Sequence, residues 1–254
     1  MAESAFGVKD DASPAYALDP NLLIGTGGWH YFLTPGDKLA NYSRCFRFVE
    51  VNASFYSHVP LRMAFSWRRR VPEGFVFSVK AHRAITHKHK FRICEETIKA
   101  QGHLRRFCEA LGAEAIVYST PPSFEPTDAN LGAAREFFAE ADRGALKLVW
   151  EVRGRAWWTA EARAALRKAL AESDVAHSAD LSYQEPVHEK QLVYSRVFGP
   201  MRERTRRGQY RVSDSQLERV GDQIGKHLGG KKKVMVAFHT VRMYEDAARM
   251  IKRA

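Results

Sequence analysis

The sequence predicts an α/β chain folded as a single (β/α)8 barrel of the TIM type. Three observations predict it. Eight short β-rich runs alternate with helical patterns along the chain. The 254 residues match the length of about 250 that one such barrel takes. Most of the runs place polar residues on one face and apolar residues on the other, as strands lining a barrel must. An open doubly wound sheet shares the local alternation, so the count of runs alone does not separate the two.

The runs are 22–29, 48–56, 75–82, 113–121, 146–153, 176–181, 192–199 and 234–239. Residues 1–20 carry no apolar block and read as a loose arm ahead of one domain spanning 21–254. Short helical stretches join the first strands. Residues 95–111 set Leu104, Phe107, Cys108 and Leu111 on one helical face. Residues 159–172 are Ala-rich and helical by propensity. Residues 213–228 group Leu217, Val220, Ile224 and Leu228, and Ser213 with Gln216 form a capping box. Around 184–190 the helical signal is poor. Residues 240–254 read as a closing helix.

Composition bounds the function. Hydrophobic residues at 45% and charged residues at 27% exclude global disorder. No run of eighteen apolar residues exists, so no membrane helix or membrane partner is expected. The first twenty residues contain Asp10 and Asp11 and do not resemble a signal peptide. Three cysteines without a CxxC give neither a disulfide framework nor a zinc ribbon, and a reducing cytoplasm is the simplest location. The net charge is +11. Residues 61–92 hold nine basic residues against Glu73, and 196–211 hold six against Glu203. Clustered charge of this kind favours an anionic small molecule or a nucleic acid.

Alternation along the strands selects the candidate site. Glu50, Asn52 and Ser54 share a face, as do Ser78, Lys80 and His82, then Glu151 with Arg153, Ser178 with Asp180, and Tyr194 with Arg196. The eighth run ends in His239 and the first in Trp29 and His30. The polar face points into the barrel and gathers its charges at the carboxyl ends of the strands, where barrel enzymes carry their chemistry. The bland alternative is a buried ion-pair network that only fills the barrel. Gly25-Thr26-Gly27-Gly28 follows a strand and reads as a tight turn or a phosphate cradle. His82, His87 and His89 cluster in sequence but lack metal-ligand spacing. Trp157 is a stacking platform or a core residue. The basic loop 200–211 follows the seventh strand, where barrels often hold phosphate.

Several motifs together resemble one family. They are IGTGGWHY (24–31), FVEVNASFY (48–56), PEGFVFSVKAHRAITH (72–87), STPPSF (119–124), EVRGRAWW (151–158) and YSRVFG (194–199). They resemble the YecE-like family, catalogued as domain of unknown function 72. The resemblance implies a closed or slightly irregular TIM-type barrel. It implies a shared polar pocket of Trp29, Glu50, Asn52, Phe55, Tyr56, Lys80, His87, Glu151, Arg153, Trp157, Asp180 and Arg196. It supplies no established reaction. The chain departs from the family pattern at Phe198 and Gly154, where histidine is usual, and at His239, where asparagine is frequent.

Three functions are compatible with these residues. The first is a hydrolase or lyase acting on an anionic sugar phosphate, nucleotide or nucleic acid. In it Glu50, Glu151, Asp180 and Lys80 are the catalytic candidates. Trp29, Asn52, Tyr56, His87, Arg153, Trp157, Arg196 and His239 are the binding candidates. Two carboxylates suit glycosidic cleavage, whereas a lysine crowded by cations suits Schiff-base chemistry. The second is a nucleic-acid binder without chemistry, using the basic 61–92 stretch and exposed aromatics. The third is a metal-dependent isomerase or epimerase, with Glu50, Glu151, Asp180 and His239 as ligands on paper. No cofactor is required by the sequence, and a divalent metal enters only in the third reading.

Overall fold

The computed structural model describes residues 14–199 and 211–254. Its elements run α1 (Pro14–Ala17), β1 (Leu22–Thr26), α2 (Lys38–Cys45), β2 (Phe48–Val51), α3 (Ala53–Tyr56), α4 (Leu61–Arg68) and β3 (Val76–Lys80). A π-helix (Ala84–Lys88), α5 (Glu95–Leu111), β4 (Ala113–Ser119), α6 (Asp128–Glu140) and β5 (Lys147–Glu151) follow. A 3-10 turn (Arg155–Trp158), α7 (Ala160–Ser173), β6 (Ala176–Ala179), β7 (Leu192–Val197), α8 (Asp214–Gly229), β8 (Lys233–Phe238) and α9 (Met243–Ile251) complete it. All eight strands pair in parallel and in sequence order, and β8 closes on β1. The chain is a TIM-type barrel. No helix among the described residues is long and apolar enough to cross a membrane.

The strand faces divide as their alternation requires. Leu23, Phe48, Val76, Val117, Tyr194 and Met235 pack together inside the barrel. Their neighbours Ile24, Val49, Phe77, Ile116, Trp150, Val193 and Val236 join the outer core beneath the helices. The interior is apolar toward the strand starts, and its charges come only near the strand ends. Gly25 is required at the first seam. A Cβ there would lie 1.9 Å from the Phe48 carbonyl oxygen. Tyr42 locks the same seam, donating to Phe48 O at 2.8 Å and accepting from Thr26 N at 3.0 Å.

Several local expectations are revised. The second strand ends at Val51, and 52–56 turns into α3, so Asn52 and Ser54 do not continue the Glu50 face as strand residues. Likewise His82 lies past the end of β3 and Arg153 past the end of β5. Helix α6 is an element that the amphipathic pattern did not single out. Thr127 caps it, and it buries Leu131, Ala134, Phe137 and Phe138. The β6–β7 link holds no helix. His177 pins it instead, its Nδ1 accepting from Val187 N at 3.1 Å. Of the expected loose arm, residues 1–13 lie outside the described residues. The remainder is seated: Ala15 is buried, and Tyr16 donates to Ser43 O at 2.8 Å.

Candidate functional site

Four strand ends meet around one guanidinium. Arg196, at the end of β7, donates from Nε and Nη2 to the two oxygens of Glu50 on β2, each at 3.0 Å. Its Nη1 donates to Glu151 Oε2 on β5. Tyr194, two residues earlier on the same inward face, donates to Glu50 Oε2 at 2.9 Å and contacts Ser78 Oγ at 2.7 Å. Glu151 Oε2 also accepts from Ser119 Oγ at 2.5 Å and from Arg153 Nε and Nη2 at 3.1 and 2.9 Å. His239, just after β8, brings Nε2 to 3.3 Å from both Glu50 Oε1 and Arg196 Nε. Gly27 makes room for that imidazole, since a Cβ would stand 2.2 Å from its Nδ1. Gly25 and Gly27 thus serve close packing, in line with the tight-turn reading of that motif.

This arrangement fixes protonation. Burial alone would raise the pKa of Glu50, but Arg196, His239 and Lys80 hold it well below the usual carboxylate range. Burial opposes Glu151 in the same way, and Arg196 and Arg153 overcome it. Both are anions at neutral pH and have no proton to donate. Burial and the adjacent Arg196 lower the pKa of His239, leaving a neutral ring. The buried carboxylates therefore anchor the arginines, and neither is poised as a general acid.

Lys80 is placed differently. It ends β3 with Nζ 3.8 Å from the centroid of the Phe55 ring, and it forms no ion pair with any described residue. Burial, then Arg196 and Arg153, bring its pKa down to about 8 against the pull of Glu50 and Glu151. His87, on the π-helix, packs edge-on against the other side of the same neighbourhood, 4.8 Å from Phe55. Burial, Lys80 and Arg153 push it down to about 4, so its imidazole is neutral. Its Nδ1 is 2.9 Å from Thr86 Oγ1. Arg153 is 30% exposed and offers an accessible guanidinium at the mouth. Gly154 lets the chain turn behind it, with φ +107 and the Pro122 carbonyl oxygen 3.2 Å from where a Cβ would stand.

The remaining candidates separate. Asp180 is not a second free carboxylate. It accepts from Ser182 N and Oγ and from the amides of Phe198 and Gly199 at 2.8 and 2.9 Å, so it fastens the exit of β7. Trp157 is 2% exposed, donates to Phe124 O at 2.8 Å and lies parallel to the Phe124 ring. It belongs to the core, because the 3-10 turn rotates it inward and presents Trp158 outward. Trp29 is half-buried against Trp67 at 5.0 Å. Asn52 donates to Gly27 O at 2.9 Å and ties the first two loops together. Tyr56 is exposed beside Phe55. His82 turns away to stack on His58, and His89 reaches Glu96, so the three histidines do not converge. Among the described residues no group of three or more His, Cys, Asp or Glu side chains is placed to hold a metal. The paper ligand set fails because Glu50 and Glu151 are taken by arginines and Asp180 by backbone amides. Of the basic loop 200–211, all but Arg211 lies outside the described residues.

One contact was not legible as a site feature. Phe198 stacks on His239 at 4.7 Å and faces the guanidinium carbons of Arg153 and Arg196 at 5.2 and 5.1 Å. Two positions that depart from the family pattern are therefore in direct contact. Their pairing across β7 and β8 is set by register, Val197 beside Phe238, and not by sequence proximity.

A family model described as "Protein of unknown function DUF72" matches residues 23–254. The UPF0759 protein YunF of Bacillus subtilis is 29% identical over 150 residues, covering 54% of this chain and 52% of that protein. The chain thus aligns with about half the length of this relative. The solved DUF72 family protein EF0366 of Enterococcus faecalis superposes with a TM-score of 0.70 at 19% identity, over 91% of this chain and 96% of that one. The DUF72 family protein TM1631 of Thermotoga maritima gives 0.70 at 18% identity, over 91% and 98%. At these identities the structural likeness shows the fold alone.

Proposed function

The chain belongs to the DUF72 family of unknown function, and on that premise we propose that the mouth of its barrel is the active site of a lyase whose Lys80 attacks the carbonyl carbon of a small anionic substrate of the sugar-phosphate kind. The observation that carries this reading is the setting of Lys80. Its ammonium rests on Phe55 without a carboxylate partner among the described residues, near Arg196 and Arg153. At pH 7 a pKa of about 8 leaves roughly a tenth of the amine neutral and nucleophilic.

The steps follow from that setting. The Lys80 lone pair forms a bond to the carbonyl carbon, giving a carbinolamine. Loss of water with one proton gives a protonated imine. The Cα–Cβ bond of a β-hydroxy carbonyl substrate then breaks, its electron pair passing to the iminium to leave an enamine, while the β-hydroxyl gives up its proton and its carbon departs as an aldehyde, the first product. Protonation of the enamine and hydrolysis by water return the amine and release the second product. His87, neutral and a weak base at a pKa of about 4, serves as a hydrogen-bond partner for the substrate, and water carries the proton. Arg153 holds the anionic group through its exposed edge. Glu50 and Glu151 act indirectly, by keeping Arg196 and Arg153 in place. The carboxylate-pair route to glycosidic cleavage is less well supported, since it needs a protonated carboxyl and neither glutamate holds a proton.

The test is reductive trapping. The protein is incubated with cyanoborohydride and a panel of small keto acids and sugar phosphates, then read by intact and peptide mass. A stable adduct on Lys80, absent from Lys80→Met, is the expected result. No adduct with any carbonyl compound, or equal labelling of surface lysines, refutes the proposal.

A further inference from the structure

The amino-terminal end of the barrel, opposite the mouth, carries a second polar concavity. Two adjoining cavities of about 230 and 330 Å³ share Lys147, Gln191 and Leu192 as a common wall. Together they form a trough over the starts of β4 to β8. Its size suits a small organic molecule. The lining holds five basic side chains against two acidic ones.

The charges are not all neutralised internally. Lys233 pairs with Glu114, and Lys190 with Asp174 at 2.7 Å, with Arg143 3.7 Å from the same Asp174. Lys147 and Lys231 make no ion pair with any described residue. Lys231 is presented by a backbone with φ +57, in the tight turn between α8 and β8. The neutral polar groups of the trough are also uncommitted. His188 Nε2 is buried with no hydrogen-bond partner, and burial and Lys190 keep its ring uncharged. A buried polar atom without a partner is uncommon in folded proteins and calls for an explanation. The residue lines the same cavity as the side chain of Gln191, with its Nε2 itself closed to solvent.

We propose that this trough binds a phosphate monoester of nucleotide size, its phosphate held between Lys147 and Lys231 and its polar body recognised by Gln191. Two uncompensated ammonium groups match a compact dianion as point charges. The exposed side-chain amide of Gln191 matches the hydroxyl or base edges of the attached body. The site stands apart from the mouth and does not depend on the chemistry assigned to Lys80.

The experiment is calorimetric titration of the full-length protein with AMP, ribose 5-phosphate, adenosine and inorganic phosphate at fixed ionic strength. AMP or ribose 5-phosphate is expected to bind at least about ten-fold tighter than inorganic phosphate or adenosine. Lys147→Ala with Lys231→Ala is expected to weaken that binding by about ten-fold or more, with an unchanged melting temperature, because both side chains are at the surface. Lys80→Met is expected to leave AMP binding unaltered, since AMP carries no carbonyl for the mouth to engage. The proposal is overturned if the wild type binds no phosphate ester more tightly than inorganic phosphate. It is equally overturned if the double variant binds AMP like wild type, or if Lys80→Met abolishes AMP binding and so moves the ligand to the mouth.

Discussion

Replacing Arg196 by methionine withdraws the guanidinium that two buried carboxylates share. Glu50 is wholly buried and keeps only the Tyr194 hydroxyl and the His239 ring as near partners. Glu151 keeps Ser119 and Arg153. Removing one member of a buried ion pair costs about 3–5 kcal/mol. With two carboxylates affected, the loss should sit in the upper part of that range, a fall in melting temperature of roughly 10–20 °C for a chain of this size. The pH dependence is specific. In the wild type the pKa of Glu50 is depressed, so its stabilisation is present above the unfolded carboxylate pKa and is lost only as pH falls through the folded one. In Arg196→Met burial is opposed only by His239 and Lys80 and the pKa rises, so the cost is greatest at neutral pH and fades as the carboxyl takes up a proton. Urea unfolding midpoints at pH 7.5, 6 and 4.5 read both effects. The wild-type advantage should shrink steadily toward acid, and adding Glu50→Gln to Arg196→Met should restore part of it at pH 7.5. A loss under about 1 kcal/mol, or one independent of pH, would refute the assignment of this cluster as a charge-paired anchor.

Other expectations follow from the same geometry. Lys80→Met should raise the melting temperature at pH 7, because the fold holds the charged amine below about 8 at a cost. The gain should vanish above pH 10.5, where both states are neutral, and thermal melts at pH 7 and 10.5 check it. Gly27→Ala should cost about 1–3 kcal/mol in chemical unfolding by forcing its new methyl into the His239 ring. Asp180→Ala should strand the amides of Phe198 and Gly199, and hydrogen exchange should show those amides losing protection. Trp158→Ala should leave the melting temperature unchanged, whereas Trp157→Ala should cost about 3–5 kcal/mol as a core deletion.

How far the sequence could be read depended on periodicity. The alternation in Tyr194-Ser195-Arg196 and in Trp150-Glu151 placed the charged side chains inside the barrel, because a strand buried on both faces leaves few alternatives for a charge. Glu50, Lys80, Glu151 and Arg196 therefore gather at the strand ends as alternation and strand order require, and Arg153 and His239 join them from just past β5 and β8. Periodicity gave out where strands end. Asn52 and Asp180 look like continuations of an inward face, but the chain turns there and their side chains bind backbone groups. Trp157 and Trp158 are adjacent, and only the 3-10 turn decides which is buried. Phe198 carries no charge and was visible only as a departure from a family pattern. The amino-terminal trough draws its cations from separate strand starts, so it leaves no basic cluster in sequence beyond Lys231-Lys232-Lys233.

The most direct test of the active-site reading is the titration of the Lys80 amine itself. Lysines labelled with ¹³C at the ε-carbon would be followed by NMR from pH 6 to 11, with the Lys80 signal assigned by its absence in Lys80→Met. A midpoint near 8 is expected, set by burial and the two neighbouring arginines. A midpoint at the ordinary lysine value of about 10.4 would contradict the account, leaving Lys80 a fixed cation for holding anions and removing the nucleophile from the barrel mouth.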